Sequence, residues 1–320
     1  MTLFLTHCKD KAKWDAFVAA SPQGNVFCGT PFLDALGVDY DLLFVEENQQ
    51  SQLGAVVIKR EGRPIQAPYP FTMYQGVLFD GSSVTMPHHK RMKWGLEVVE
   101  YMLMEMASIY DRISFCMHYS LDDLRAFQWF HYHDPQLGQF KIDLRYTGLL
   151  DLKAVESFED CLAKMRTVRR QEYRRGLVDG LIIKESSDIG TLNRLHRMTF
   201  ERQGIERPDE EERLLLAITE TALSKGFGRL LVCKDRQGTS VAAMLFLYDA
   251  RCGYYLFGAN HPDFRKSGSG TCLLVENIRR CMEMGLSMVD LVGINSPSRG
   301  DYKTSFNAAP FPYYVASWQK

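Results

Sequence analysis

The sequence predicts an α/β (α+β) protein of two units, each a mixed, largely antiparallel sheet flanked by helices. Three observations predict it. At 320 residues the chain is long for one core and comfortable for two. Each half runs through helices, an antiparallel hairpin, another helix and a strand, the element order of packed α/β layers. A faint repeat marks the late helix of each half, Met104-Glu105-Met106-Ala107 and Met282-Glu283-Met284-Gly285, each just before a strand. The seam is expected near 145–151, giving units 1–147 and 148–320.

In the first half, Trp14 to Val18 reads as the buried face of a short helix, broken by the polar stretch Ser21 to Asn25. Thr30 and Pro31 suit the start of a second short helix, because proline needs no donor at the first helical position. Asp41 to Glu46 and Leu53 to Arg60 read as a hairpin across the polar turn 47–51. Residues 71–79 read as a loop entering a strand. His88 to Tyr110 carries apolar residues at helical spacing. A strand (112–119), a short helix (121–130) and a strand (139–144) complete the half.

In the second half, Ser157 to Val178 reads as one long helix with the basic middle Lys164 to Arg175. A strand at 181–184, helices at 189–203 and 210–225, and strands at 227–233, 240–248 and 253–257 follow. A helix then runs to Gly285, the strand Met288 to Gly293 follows, a polar loop closes on Tyr302 to Phe306, and Tyr313 to Trp318 is the last strand.

Composition narrows the function classes. The formal net charge of -1 creates no global field for nucleic acid, so RNA contact would need a local patch. The start of the chain is too soon charged for a signal peptide, and no run is long enough to cross a bilayer, so a cytoplasmic location is expected. The eight cysteines lack close-paired spacing and sit among apolar neighbours, as reduced buried thiols do. The His118, His131 and His133 region has no familiar ligand spacing, so no metal is expected. Neither a nucleophile elbow nor a Walker loop is present.

The rest of the chain is organised around Gly258 to Phe306. A strand feeds the glycine-rich turn Arg265-Lys266-Ser267-Gly268-Ser269-Gly270, the turn opens a helix, and the helix leads to the strand Met288 to Gly293. Such an arrangement presents free backbone N–H groups at the positive end of a helix, which suits a phosphate. Arg265 and Lys266 add full charges beside it. The spacing of Arg265, Gly268 and Gly270 is similar to the pyrophosphate loop of acyl-CoA N-acyltransferases, the GNAT superfamily. A glycine turn ahead of an ordinary helix is the plain alternative.

With the basic helix Lys164 to Arg175, the Tyr255 to Asn260 strand end, the Asp290 to Gly293 strand end and the closing Tyr302-Lys303-x-x-Phe306, the second half resembles the FemAB family of tandem-GNAT transferases, which includes peptidoglycan interpeptide-bridge enzymes. The first half fits through Val26-Phe27-Cys28 and Tyr74-Gln75-Gly76. The resemblance implies two tandem GNAT-like domains and transfer of an acyl or aminoacyl group onto an amine. The expected function is therefore an N-acyltransferase making an amide on an amino sugar or peptide amine in cell-envelope or polysaccharide synthesis. Its donor is expected to be an acyl-CoA or acyl-carrier thioester. An aminoacyl-tRNA-dependent transferase of the peptidoglycan-bridge type is one alternative, and a non-catalytic member binding a nucleotide sugar or partner is another. The acceptor is expected to be a small-molecule or nucleotide-linked amine.

Amine acylation needs a deprotonated amine, a stabilised oxyanion and alignment of donor with acceptor. Lys303 is the candidate for a charge near the reacting carbonyl or an acceptor phosphate, against the alternative of a solvated loop lysine. Tyr302 is the candidate proton donor to the leaving group, or a packed ring. Asp290, at a strand end, is a candidate base or a cap for the next loop. Arg265, Lys266, Gly268 and Gly270 are the candidate donor-binding group. Arg166 and Arg170 on the basic helix, Tyr74, and Asn260 are candidate substrate contacts. A solvated charged face and a turn cap are the alternatives for the arginines and for Asn260.

Overall fold

A computed structural model describes residues 2–320, and the chain divides into two compact units. One holds the residues up to Arg145 together with Pro312–Lys320, and the other Tyr146–Phe311. The expected change of unit after 147 lies close to this division. The expected membership of the last residues does not match it: in the first unit, Val315 to Gln319 pair antiparallel with Cys116 to Arg112. Main-chain pairing of a terminal strand with one two hundred residues earlier leaves no local signal. Residues 145–151, where the seam is expected, belong to the strand Lys141–Asp151.

In the first unit, Leu3–His7, Asp39–Glu47 and Gln50–Arg60 form an antiparallel sheet, extended by the two-residue strands Arg63–Pro64 and Leu78–Phe79. The helix His88–Ile109 covers it because Trp94, Val98, Met102 and Met106 recur at a helical spacing and are all buried. They meet Leu43, Val45, Leu53 and Ala55 from the alternating inner faces of the hairpin.

The second unit has strands in the order Lys141–Asp151, Met288–Asp290, Cys252–Asn260, Ser240–Tyr248, Gly228–Lys234 and Ile182–Glu185. All neighbours are antiparallel except Cys252–Asn260 with Met288–Asp290. A parallel pair needs a crossover, and the helix Ser269–Glu283 provides it, burying Leu273, Leu274 and Ile278 against the sheet. The single helix expected over 157–178 is two, Phe158–Lys164 and Thr167–Val178. Met165 and Arg166 between them are extended. Met165 drops its side chain into the core, and the Arg166 N–H donates to the Ser305 carbonyl instead of continuing the helix. The expected closing loop is in part a helix, Pro297–Thr304, with proline in its first turn. No helix among the described residues is long and apolar enough to cross a membrane.

Candidate active site

The second unit's sheet opens in its interior. Cys252, Gly253 and Tyr254 face Met288, Val289 and Asp290, and there the parallel ladder stops. Past Asp290 the chain stays beside the outer strand, with the Leu291 N–H on the Gly148 carbonyl and the Ile294 N–H on the Tyr146 carbonyl. Tyr255 to Asn260 continue along Ser240–Tyr248 instead. The edge of 255–260 that faces away from Ser240–Tyr248 therefore has no ladder partner among the described residues. Just where the strands part, Leu245 faces Phe257 and Phe246 faces Tyr255, so Leu256 is an extra residue with none opposite it. Such a bulge bends its strand and re-aims the side chains beside it.

Lys303, at the end of the Pro297–Thr304 helix, holds one wall of this opening. Its ammonium donates to the carbonyls of Val292 (3.2 Å) and Gly293 (3.3 Å) and lies 5.1 Å from the centre of the Tyr255 ring. Two acceptors leave the third N–H available. Burial, with some help from Arg299 and against the pull of Asp290, lowers its pKa from 10.5 to about 8. Val292 itself sits at φ 48°. That is a strained conformation for a β-branched residue, costing about 1–3 kcal/mol. Its peptide is gripped from both sides, since the Val292 N–H donates to Asp290 Oδ1 (2.7 Å) while Lys303 takes the carbonyl.

Asp290 does not stand where a base would work. It is fully buried, and its Oδ1 also accepts a short bond from the buried Thr147 hydroxyl. The carboxylate fixes the strand end, the capping arrangement that the sequence offered beside a base. Tyr302 packs edge-on to Phe306, with the Arg169 guanidinium 4.9 Å from its ring, and burial raises its pKa. It keeps its proton at neutral pH, as a donor to a leaving group must. Burial likewise raises Tyr255 to about 12.

The glycine turn opens the Ser269–Glu283 helix as the sequence predicts. Gly268 is left-handed at φ 79°, and a Cβ there would come within 3.0 Å of the Glu172 carbonyl oxygen. A Cβ on Gly270 would come within 2.9 Å of the Asn260 side chain, whose Oδ1 accepts from the Ser269 hydroxyl. Asn260 thus braces the helix start. The Gly270 and Thr271 N–H groups have no acceptor among the described residues. Arg265 and Lys266 lie exposed on the turn with no ion pair among the described residues.

The sequence did not single out Thr271 or Thr147, and it counted Arg169 with Arg166, Arg170 and Arg174 on one basic face, with Glu172 as the one acid there. Glu172 Oε2 accepts from Thr271 Oγ1 (2.6 Å) and from Arg169 Nη1 (2.6 Å), so a carboxylate rests against the first turn of the helix. Arg175 ties the same two elements through the Lys266 carbonyl (3.0 Å). Arg166 is exposed and paired with Asp301 (2.6 Å). Arg170 reaches Thr167 and keeps a buried Nε with no partner among the described residues. Arg174, Arg265 and Lys266 are exposed. Tyr74 is placed elsewhere. It is a fully buried ring in the first unit, edge-on to Phe27, His118, Tyr119 and Tyr313, so it is a core residue rather than the expected substrate contact. Among the described residues no group of three His, Cys, Asp or Glu side chains converges as a metal site.

Residues 160–304 match the family model of an acetyltransferase (GNAT) domain. No curated protein sequence matches the chain. Among solved structures, the crystal structure of FemX gives a TM-score of 0.70 at 13% identity, covering 99% of this chain and 97% of that one. The C-terminal domain (DUF2156) of a putative lysylphosphatidylglycerol synthetase from Agrobacterium fabrum gives 0.56 at 13%, covering 96% and 92%. A tandem GNAT protein from the clavulanic acid biosynthesis pathway gives 0.54 at 11%, covering 100% and 98%. At such identities the likeness is one of fold. The chain has a FemAB-like tandem GNAT fold, and the match to the GNAT acetyltransferase model lies within its second unit.

Proposed function

We propose that the second unit transfers an acyl group from a phosphate-bearing donor to an amine, and that the donor is an acyl-CoA or acyl-carrier thioester. The parting of the two parallel strands after Tyr254 and Asp290 carries this reading. An unpaired strand edge offers main-chain donors and acceptors to an amide-bearing arm, and the arm would lead the acyl carbonyl to Lys303. The phosphates would meet Arg265, Lys266 and the unpaired N–H groups of Gly270 and Thr271. The acceptor amine attacks the carbonyl, and the remaining Lys303 N–H faces the developing oxyanion. The tetrahedral intermediate collapses with loss of the thiolate, which takes the Tyr302 proton; the amine gives a proton to solvent, and solvent returns one to the Tyr302 phenolate. Arg166 and Arg170 would contact the substrate.

An amine acceptor in cell-envelope or polysaccharide synthesis, an amino sugar or a peptide amine, belongs to the same proposal. It rests on the resemblance to the FemAB family and on the fold shared with FemX. A cytoplasmic location is also part of it, resting on eight cysteines that are all free thiols.

A second reading is favoured by one observation. Glu172 already sets a negative charge against the helix start, and the arginines beside it form a wide rim, which suits a larger polyanion such as aminoacyl-tRNA. Titration with CoA, acetyl-CoA and aminoacyl-tRNA at two salt concentrations separates the two. The thioester reading expects saturable CoA binding that Arg265→Ala weakens by about tenfold, the loss of one charged hydrogen bond. Steeply salt-dependent tRNA binding without CoA binding would replace it with the tRNA reading. Binding of neither would leave the non-catalytic alternative.

A further inference from the structure

The first unit contains a cavity of about 310 Å³ that no step above uses. This is at the small end of the roughly 300–1,000 Å³ of ligand pockets, so its occupant is small. Its floor is apolar: Phe79 and Trp94 lie ring to ring (5.4 Å), with Val99 and Leu121 beside them. Two nearly buried polar residues line it with unused capacity. Ser83 is 3% exposed and Gln23 6%, and neither the Ser83 hydroxyl nor the Gln23 amide nitrogen has a partner among the described residues. Gln23 is held in place because its Oε1 accepts from the Phe79 N–H (3.0 Å).

The mouth carries both signs of charge. On one side the His88–Ile109 helix begins without a side-chain cap and without an acid in its first turn, and His88 and Arg91 face the cavity. Basic residues at the positive end of a helix are unfavourable unless an anion meets them. On the other side lie Asp122 and Asp123. Asp123 is neutralised by a two-pronged pair with Arg125 (2.6 and 2.8 Å). Arg91 and Asp122 have no ion-pair partner among the described residues. A lining with an apolar floor, a free cation on one rim and a free carboxylate on the other complements a zwitterion with an apolar side chain.

We propose that this cavity binds a free apolar α-amino acid, its carboxylate at Arg91, the helix start and Ser83, its ammonium at Asp122, and its side chain on Phe79, Trp94 and Val99. Gly95 leaves the floor open. A Cβ there would only touch Phe79 at 3.5 Å, so a longer side chain at this position extends into the cavity.

Calorimetric titration of the full chain with L-leucine, L-methionine and L-phenylalanine, beside phenylpropionate, phenethylamine and leucinamide, tests this. The expected result is saturable one-to-one binding of an apolar amino acid at concentrations up to about 1 mM. Compounds lacking either charge should bind at least about tenfold more weakly, as should the surface variants Arg91→Ala and Asp122→Asn. Gly95→Leu should abolish binding with circular dichroism unchanged. Absence of binding by every amino acid would overturn the proposal. So would undiminished binding in both Arg91→Ala and Gly95→Leu, or equal affinity for phenylpropionate and L-phenylalanine, which would remove the need for an ammonium.

Discussion

Lys303→Met separates what the lysine does for the fold from what it does for the reaction. Lowering its pKa from 10.5 to about 8 means that folding disfavours the ammonium by about 3 kcal/mol, at about 1.4 kcal/mol per factor of ten. Methionine removes that cost and keeps most of the stem's packing. It forfeits the hydrogen bonds to the Val292 and Gly293 carbonyls, worth about 1 kcal/mol each when long and partly screened. The net expectation at pH 7 is a variant as stable as the parent or about 1 kcal/mol more so, by urea unfolding. Turnover should fall by about 10²–10³, the effect of losing one preorganised donor at a developing oxyanion.

The pH dependence carries a sign. Between about pH 8 and 10.5 the unfolded chain holds more protons at this position than the folded one, so the stability of the parent rises through that window. Any stability lead of Lys303→Met should therefore be confined to below pH 8 and reverse in favour of the parent toward pH 10.5, while parental turnover declines above pH 8 as the ammonium is lost. A variant that loses more than about 2 kcal/mol and retains turnover would refute the reasoning, because Lys303 would then be a structural clamp alone.

Three further substitutions test the surroundings. Gly268→Ala forces a left-handed alanine against the Glu172 carbonyl and should destabilise by about 1–3 kcal/mol, read as a lower melting temperature. Thr147→Val removes a buried donor to Asp290 and should cost about 1.5–3 kcal/mol in urea unfolding; an effect below about 0.5 kcal/mol would mean that the Val292 N–H suffices to satisfy the carboxylate. Glu172→Gln leaves the fold within about 1 kcal/mol, since its ion pair with Arg169 is partly exposed. It should tighten CoA binding up to about tenfold by removing a like charge from the phosphate position; unchanged affinity would place the phosphates elsewhere.

The Gly258 to Phe306 ensemble was legible because its signals are local: alternating apolar residues, a glycine turn, then helical spacing. What escaped was set by distant partners. The break at Met165 and Arg166 follows from the Ser305 carbonyl, and nothing in the 157–178 run announces it. Tyr74 reads as an ordinary loop aromatic until Phe27 and Tyr313 close around it. Asp290 and Lys303 were both visible as charges near a strand end, yet their division of labour depends on Thr147 and on the strained Val292 between them.

The glycines show most plainly why spacing alone leaves the donor open. Gly268 and Gly270 match a phosphate loop, and each also has a packing reason, against Glu172 and against Asn260. The two accounts meet in Glu172. A helix start with unpaired N–H groups is a place of positive potential, and here a carboxylate from the Thr167–Val178 helix lies against it. That carboxylate is where a donor phosphate would press, so a phosphate that enters either displaces Glu172 from Thr271, leaving it on Arg169 alone, or binds beyond it on Arg265 and Lys266. The first route makes Glu172 a competitor and the second makes it a spacer. Affinity for CoA in Glu172→Gln distinguishes them, since only a competitor resists the ligand.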